Sequence, residues 1–246
     1  MPLREARAQE ASQTDTRVAP EPGHPSRTKV GLVLGFALAG ILVVLYASHM
    51  HPVQQVPLTD QFGLVQELPV AYWLGLGLLS LSLLLAVRSD SDLVFALAGA
   101  ALVGVLAGTA GLFEPNAPVW DTYLHFSSAE TIVWTGRIPT DPAQYAANWP
   151  GFFLNVAFAT IVGGLPPLQF VVVFPFFSGI FGFFSLLVFL RSVFPAGIAR
   201  PASVLSAVLN VWAQYHVSPQ GIGLGLALLV LATAWDKRVP VRALNA

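Results

Sequence analysis

Asp121 and His125 stand four residues apart in a stretch, residues 121–135, that holds no helix breaker. A helix there puts both on one face, with Ser128 a turn further along. A carboxylate beside an imidazole can take a proton from a hydroxyl or amine when geometry brings it within hydrogen-bonding reach. By itself the pair is no metal site, because two ligands leave most coordination positions empty. A bland reading competes: Asp121 is an acidic first-turn residue favoured by the helix dipole, and His125 is its solvated neighbour.

Other polar groups with chemical capacity are sparse. Asn210 and Gln214 share a helical face, His216 and Gln220 follow, and Arg137 lies just beyond the 121–135 stretch. Polar groups in apolar helices mark substrate paths or bridge neighbouring helices, the latter contributing about 0.6–2 kcal/mol each. The chain has no cysteine, which excludes thiolate nucleophiles, disulfides, Fe–S clusters and cysteine zinc sites.

The elements that position these groups are hydrophobic. Of 246 residues, 55% are hydrophobic and 10% charged, against about 25% charged in a soluble domain. Apolar runs of about 20 residues recur, the length that crosses roughly 30 Å of hydrocarbon. The expected fold class is therefore all-α: a polytopic membrane bundle of about six transmembrane helices, with two juxtamembrane helices in an outer loop. A net charge of -1 leaves no global basic field to collect nucleic acid.

Residues 1–29 are polar, without hydrophobic period, and read as a disordered cytoplasmic tail. Two N-terminal spans fall within 30–92, at residues 30–50 and 68–87. A membrane core follows over 93–235, with spans at 93–113, 168–190, 202–217 and 221–235, the last two short. Residues 236–246 form a C-terminal cytoplasmic tail. The outer loop covers 114–167 and contains a twelve-residue apolar stretch, 151–162, that gives about 18 Å of helix. That is too short to cross, so it is placed along the membrane boundary.

With that segment outside the count, both termini fall on one side. Eleven of the twelve Lys and Arg residues then lie with them, and Arg137 lies opposite with six carboxylates: Asp60, Glu67, Glu114, Asp121, Glu130 and Asp141. The positive-inside rule makes the Arg137 side external, and the expected location is the plasma membrane, with both termini cytoplasmic. Within the loop, Gly136 stops the first helix, with Pro139 beyond, and Asn148 caps the second, with Pro150 in its first turn. The spacings Gly104-x-x-x-Gly108 and Gly221-x-x-x-Gly225 permit close helix packing, and Pro175 kinks a span.

Trp120-Asp121-x-x-x-His125, Ala129, Ile132, Thr135-Gly136-x-x-Pro139 and Trp149-Pro150-Gly151 with its apolar helix resemble the first outer loop of GT-C class integral-membrane glycosyltransferases. Ser218-Pro219-Gln220 resembles an outward-facing break further along such chains. The resemblance covers about residues 93–235 and implies transfer of a sugar from a polyprenyl-phosphate donor to an acceptor on the outer face. It implies Asp121 as the catalytic acidic residue, with His125, Arg137, Gln214, His216 and Gln220 as candidate substrate-binding groups. Thr122 stands where many members carry a second acid, which counts against metal dependence; no cofactor is assigned, with a divalent metal as the open option. Partners on this reading are the lipid-linked sugar, membrane lipid, and a C-terminal half or partner subunit. The competing readings are a transporter component and a non-catalytic membrane subunit.

Overall fold

A computed structural model describes residues 27–54, 56, 63–114, 121–141, 144–164, 167–209 and 216–235. The fold is an all-α bundle; ten helices and no strands occur among the described residues. In chain order they are α1 (Arg27–Met50), α2 (Leu64–Glu67), α3 (Val70–Val87), α4 (Asp92–Phe113), α5 (Asp121–Thr135), α6 (Tyr145–Asn148), α7 (Pro150–Gly163), α8 (Pro167–Val193), α9 (Ala196–Leu209) and α10 (Pro219–Trp235).

Four of these, α1, α3, α4 and α8, are long and apolar enough to cross a membrane. They correspond to four of the six segments read as spans. Of the other two, the segment 202–217 begins within α9, of 14 residues or about 21 Å, and its residues 210–215 lie outside the described residues, while 221–235 falls in α10, of 17 residues or about 26 Å. Leu38, Leu42, Leu74 and Leu84 stand exposed on the long helices. In water such surface would be costly, and in hydrocarbon it is at home.

Glycine sets how closely the helices approach. α1 and α3 cross where Gly40 and Gly75 face each other, so that a Cβ on either would meet the other's carbonyl oxygen at 2.9 Å. The antiparallel pair α4 and α8 is aligned the same way: Gly104 and Gly108 receive Phe176 and Ile180, and Gly99 receives the Phe183 ring. Gly225 of α10 likewise accepts Phe181. The two small-residue spacings are thus packing devices.

The α4–α8 alignment also fixes where the intervening chain goes. Gly111 near the C-terminus of α4 meets Val172 near the N-terminus of α8, while Asp92 at the start of α4 meets Arg191 at the end of α8. The chain therefore leaves the bundle and re-enters it at the same end. α7, 14 residues or about 21 Å long, lies within that excursion and packs on α5. A second core forms there from Phe126, Ala129 and Ile132 of α5, Phe153 and Val156 of α7, Phe170 of α8, and Val217.

Helix ends in the outer excursion follow the expected chemistry at one point and depart from it at another. Gly136, at φ +63, closes α5 in the left-handed conformation expected of it. Pro150 occupies the first turn of α7, but its N-cap is Trp149, without a side-chain cap. Asn148 instead ends α6 and donates to the Gln144 carbonyl at 3.5 Å. The expected Asn148 cap is corrected, because one non-helical residue between α6 and α7 takes the capping position.

Candidate functional site

Asp121 is the first residue of α5, and His125 lies one turn on. As the 3.6-residue period requires, the two side chains meet: His125 Nδ1 is 3.5 Å from Asp121 Oδ2. A third group arrives from the far side of the sequence. His216 Nε2 is 3.7 Å from the same carboxylate oxygen, and the two imidazoles stack with centroids 6.4 Å apart and planes inclined by 23°.

Local structure explains why His216 is held there. Ser218 accepts a hydrogen bond from the Gly221 N–H at 3.4 Å, capping α10, and Pro219 begins that helix. The Ser218-Pro219-Gln220 break is therefore the start of α10. Val217 and Ser218 are fully buried, so the residue before them has little freedom. Tyr145 and Phe153 wall the site, their rings 5.9 and 6.0 Å from that of His125.

The cluster is sheltered but not sealed. The His125 and His216 side chains are 12% and 17% exposed, whereas Asp121 keeps 42% of its side-chain surface open. Burial lowers the pKa of His216, with Asp121 pulling it up and His125 pushing it down. Both nitrogens that face Asp121 are buried without a hydrogen-bond partner, as is Thr122 Oγ1.

Of the six residues read as site candidates, Asp121, His125 and His216 come together. Arg137 lies exposed beyond the opposite end of α5, a 15-residue helix about 22 Å long. Helical rise therefore keeps Arg137, read as a candidate substrate-binding group, out of the Asp121 cluster. Gln220 is exposed in the first turn of α10. Gln214, with Asn210, lies outside the described residues. Ser128 hydrogen bonds to the Leu124 carbonyl of its own helix at 3.1 Å, and Asn155 does likewise to Gly151 at 2.8 Å.

Sequence reasoning missed the aromatic wall of Tyr145 and Phe153, for which no local signal exists. It also missed a clasp at the other end of the bundle. There Asp92 bonds Arg200 at 2.8 Å and Arg191 at 3.2 Å, Arg200 donates to the Ser89 carbonyl, and its guanidinium lies 5.7 Å from the centre of the Phe95 ring. A cavity of about 490 Å³ opens beside this clasp, bounded by Asp92, Phe184, Arg191 and Thr233. It is remote from the triad.

No protein-family model, curated protein or solved structure matches this chain.

Proposed function

We propose that the chain is a GT-C-like membrane glycosyltransferase, or the N-terminal half of one, that moves a sugar from a polyprenyl-phosphate donor to an acceptor at the membrane boundary. The single observation that carries this reading is the half-open Asp121 carboxylate, held by two imidazoles at the end of the bundle where α4 stops and α8 begins. Asp121 activates the acceptor. The acceptor oxygen forms a bond to the anomeric carbon, the bond from that carbon to the phosphate oxygen breaks, and polyprenyl phosphate departs with its electron pair. The acceptor proton passes to the site or to water.

Two further features support it. The exposed face of α7 carries Leu154, Phe158, Ile161 and Val162, an apolar surface suited to lie in lipid beside the site and to meet a lipid-borne donor. Among the described residues, Arg27, Lys29, Arg88, Arg191 and Arg200 belong to the helix ends opposite the triad. Under the positive-inside rule that end is cytoplasmic, and the triad opens to the outer face of the plasma membrane.

The test is transfer by the chain reconstituted in vesicles with polyprenyl-phosphate hexoses and a mixed hydroxyl acceptor pool. Release of polyprenyl phosphate by the parent chain, falling by about 10²–10⁴-fold in Asp121→Asn, is the expected result. Equal release by the variant removes Asp121 from the reaction.

A further inference from the structure

We propose that Asp121, His125 and His216 are the protein ligands of one divalent cation of the zinc class. Their three ligand atoms all lie within 4.8 Å of one another. Two imidazole nitrogens and one carboxylate oxygen make a borderline donor set of the kind that suits zinc and its neighbours better than calcium or magnesium, which favour all-oxygen ligation.

The separations carry the argument. A direct hydrogen bond between nitrogen and oxygen spans about 2.7–3.2 Å. A water bridging two polar groups at ordinary hydrogen-bond lengths holds them roughly 4.5 Å apart. The measured gaps, 3.5 and 3.7 Å, fall between these values. An ion bound at about 2.0–2.1 Å to each partner, at tetrahedral to trigonal angles, sets its ligands roughly 3.3–3.6 Å apart. The 3.5 Å gap matches that spacing, while the 3.7 Å gap and the separation of the two imidazole nitrogens, within 4.8 Å, contract onto the ion.

The orphaned nitrogens point the same way. His125 Nδ1 and His216 Nε2 are buried with no hydrogen-bond partner. A buried polar group left without a partner is destabilising, and both face the same oxygen. A cation at their intersection satisfies the pair at once. The stacked imidazoles contribute from different helical contexts, α5 and the lead-in to α10, so the site exists only in the folded chain.

Three protein ligands leave at least one coordination position free, the pattern of catalytic rather than structural sites. That position adjoins the solvent-open side of Asp121. On the glycosyl-transfer reading, which this consequence alone rests on, an oxygen of the acceptor or of the donor phosphate fills it. Asp121 then activates the acceptor through the ion it holds, and the ion's charge offsets the missing arginine at the site.

The experiment uses the untagged full chain in detergent, stripped by chelator and titrated with Zn²⁺, then with Co²⁺ as a spectroscopic stand-in. One equivalent per chain is expected, with ligand-field bands of a low-coordinate nitrogen and oxygen site. His125→Gln, His216→Gln and Asp121→Asn should each weaken Zn²⁺ binding by more than about tenfold. The doubly substituted His49→Gln/His51→Gln chain should bind as the parent does, and monodispersity with an unchanged helical spectrum checks the fold of each variant. Absence of binding by the parent, or binding indifferent to the three triad substitutions, overturns the proposal. Binding without sugar transfer upholds the metal site and sinks the enzyme reading; transfer undiminished in chelator, from a verified metal-free chain, overturns the ion's catalytic part.

Discussion

The two ends of the bundle each hold one aspartate flanked by two nitrogen-bearing side chains, and they are built to opposite specifications. Asp92 meets Arg200 and Arg191 at hydrogen-bonding distance, and Arg200, nearly buried, also reaches backbone carbonyl oxygen. Asp121 faces His125 Nδ1 and His216 Nε2 at 3.5 and 3.7 Å, and neither nitrogen makes a hydrogen bond. Permanent guanidinium charge in a fixed fork closes the first arrangement. The imidazoles leave the second unfinished, with two buried nitrogens that have no hydrogen-bond partner. A satisfied cluster ties α4, α8 and α9 together; an unsatisfied one is free to take a ligand.

Substitution separates the two. Asp121→Asn should reduce sugar transfer by about 10²–10⁴-fold while changing unfolding free energy by less than about 0.5 kcal/mol, as for a half-exposed group with no hydrogen bond to lose. Asp92→Asn should do the reverse. It strands the buried Arg200 charge and lowers stability by roughly 2–4 kcal/mol, below the upper range for fully buried pairs because Asp92 is itself 49% exposed. Denaturant titration in detergent and the vesicle transfer assay read the two effects side by side.

A smaller effect sharpens the site end. Ser218→Ala removes the cap of α10 and should cost about 1 kcal/mol of stability. Because the same serine fixes the segment carrying His216, the substitution should also weaken Zn²⁺ binding, which Asp92→Asn should leave alone. Metal titration of both variants distinguishes local positioning from general loosening.

The smallest effect concerns Glu114, which caps the C-terminus of α4 and whose pKa is raised by burial. A raised carboxylate pKa means the native state resists ionisation. Stability is then lost as pH rises from about 4.5, the unfolded value, through the folded one. Removing a negative charge from a helix C-terminus has the same sign. Glu114→Gln should therefore stabilise the chain by about 0.3–1 kcal/mol at neutral pH, with the gain vanishing below pH about 4, as melts across a pH series would reveal.

Local physics was legible in the sequence. Apolar length located α1, α3, α4 and α8, Gly136 stopped α5, and helical periodicity joined Asp121 to His125. The failures are of two kinds. Asn148 reads as a cap from its place before Pro150, but a single residue, Trp149, displaces it, while helical rise keeps Arg137 out of the Asp121 cluster. His216, Tyr145 and Phe153 join the site through tertiary packing, and the Asp92–Arg200 pair spans 108 residues. A count of charges by side groups those residues without revealing that they touch. Segment lengths near the crossing threshold were also ambiguous, since Pro195 and Pro219 set where α9 and α10 begin.

X-ray absorption at the zinc edge of the loaded chain, parent beside His216→Gln, addresses the site most directly. Two imidazoles and a carboxylate oxygen at about 2.0–2.2 Å are predicted around the ion, with one imidazole lost in the variant. A spectrum of oxygen ligands only, or one identical in both chains, would contradict the assignment of Asp121, His125 and His216 to a single ion.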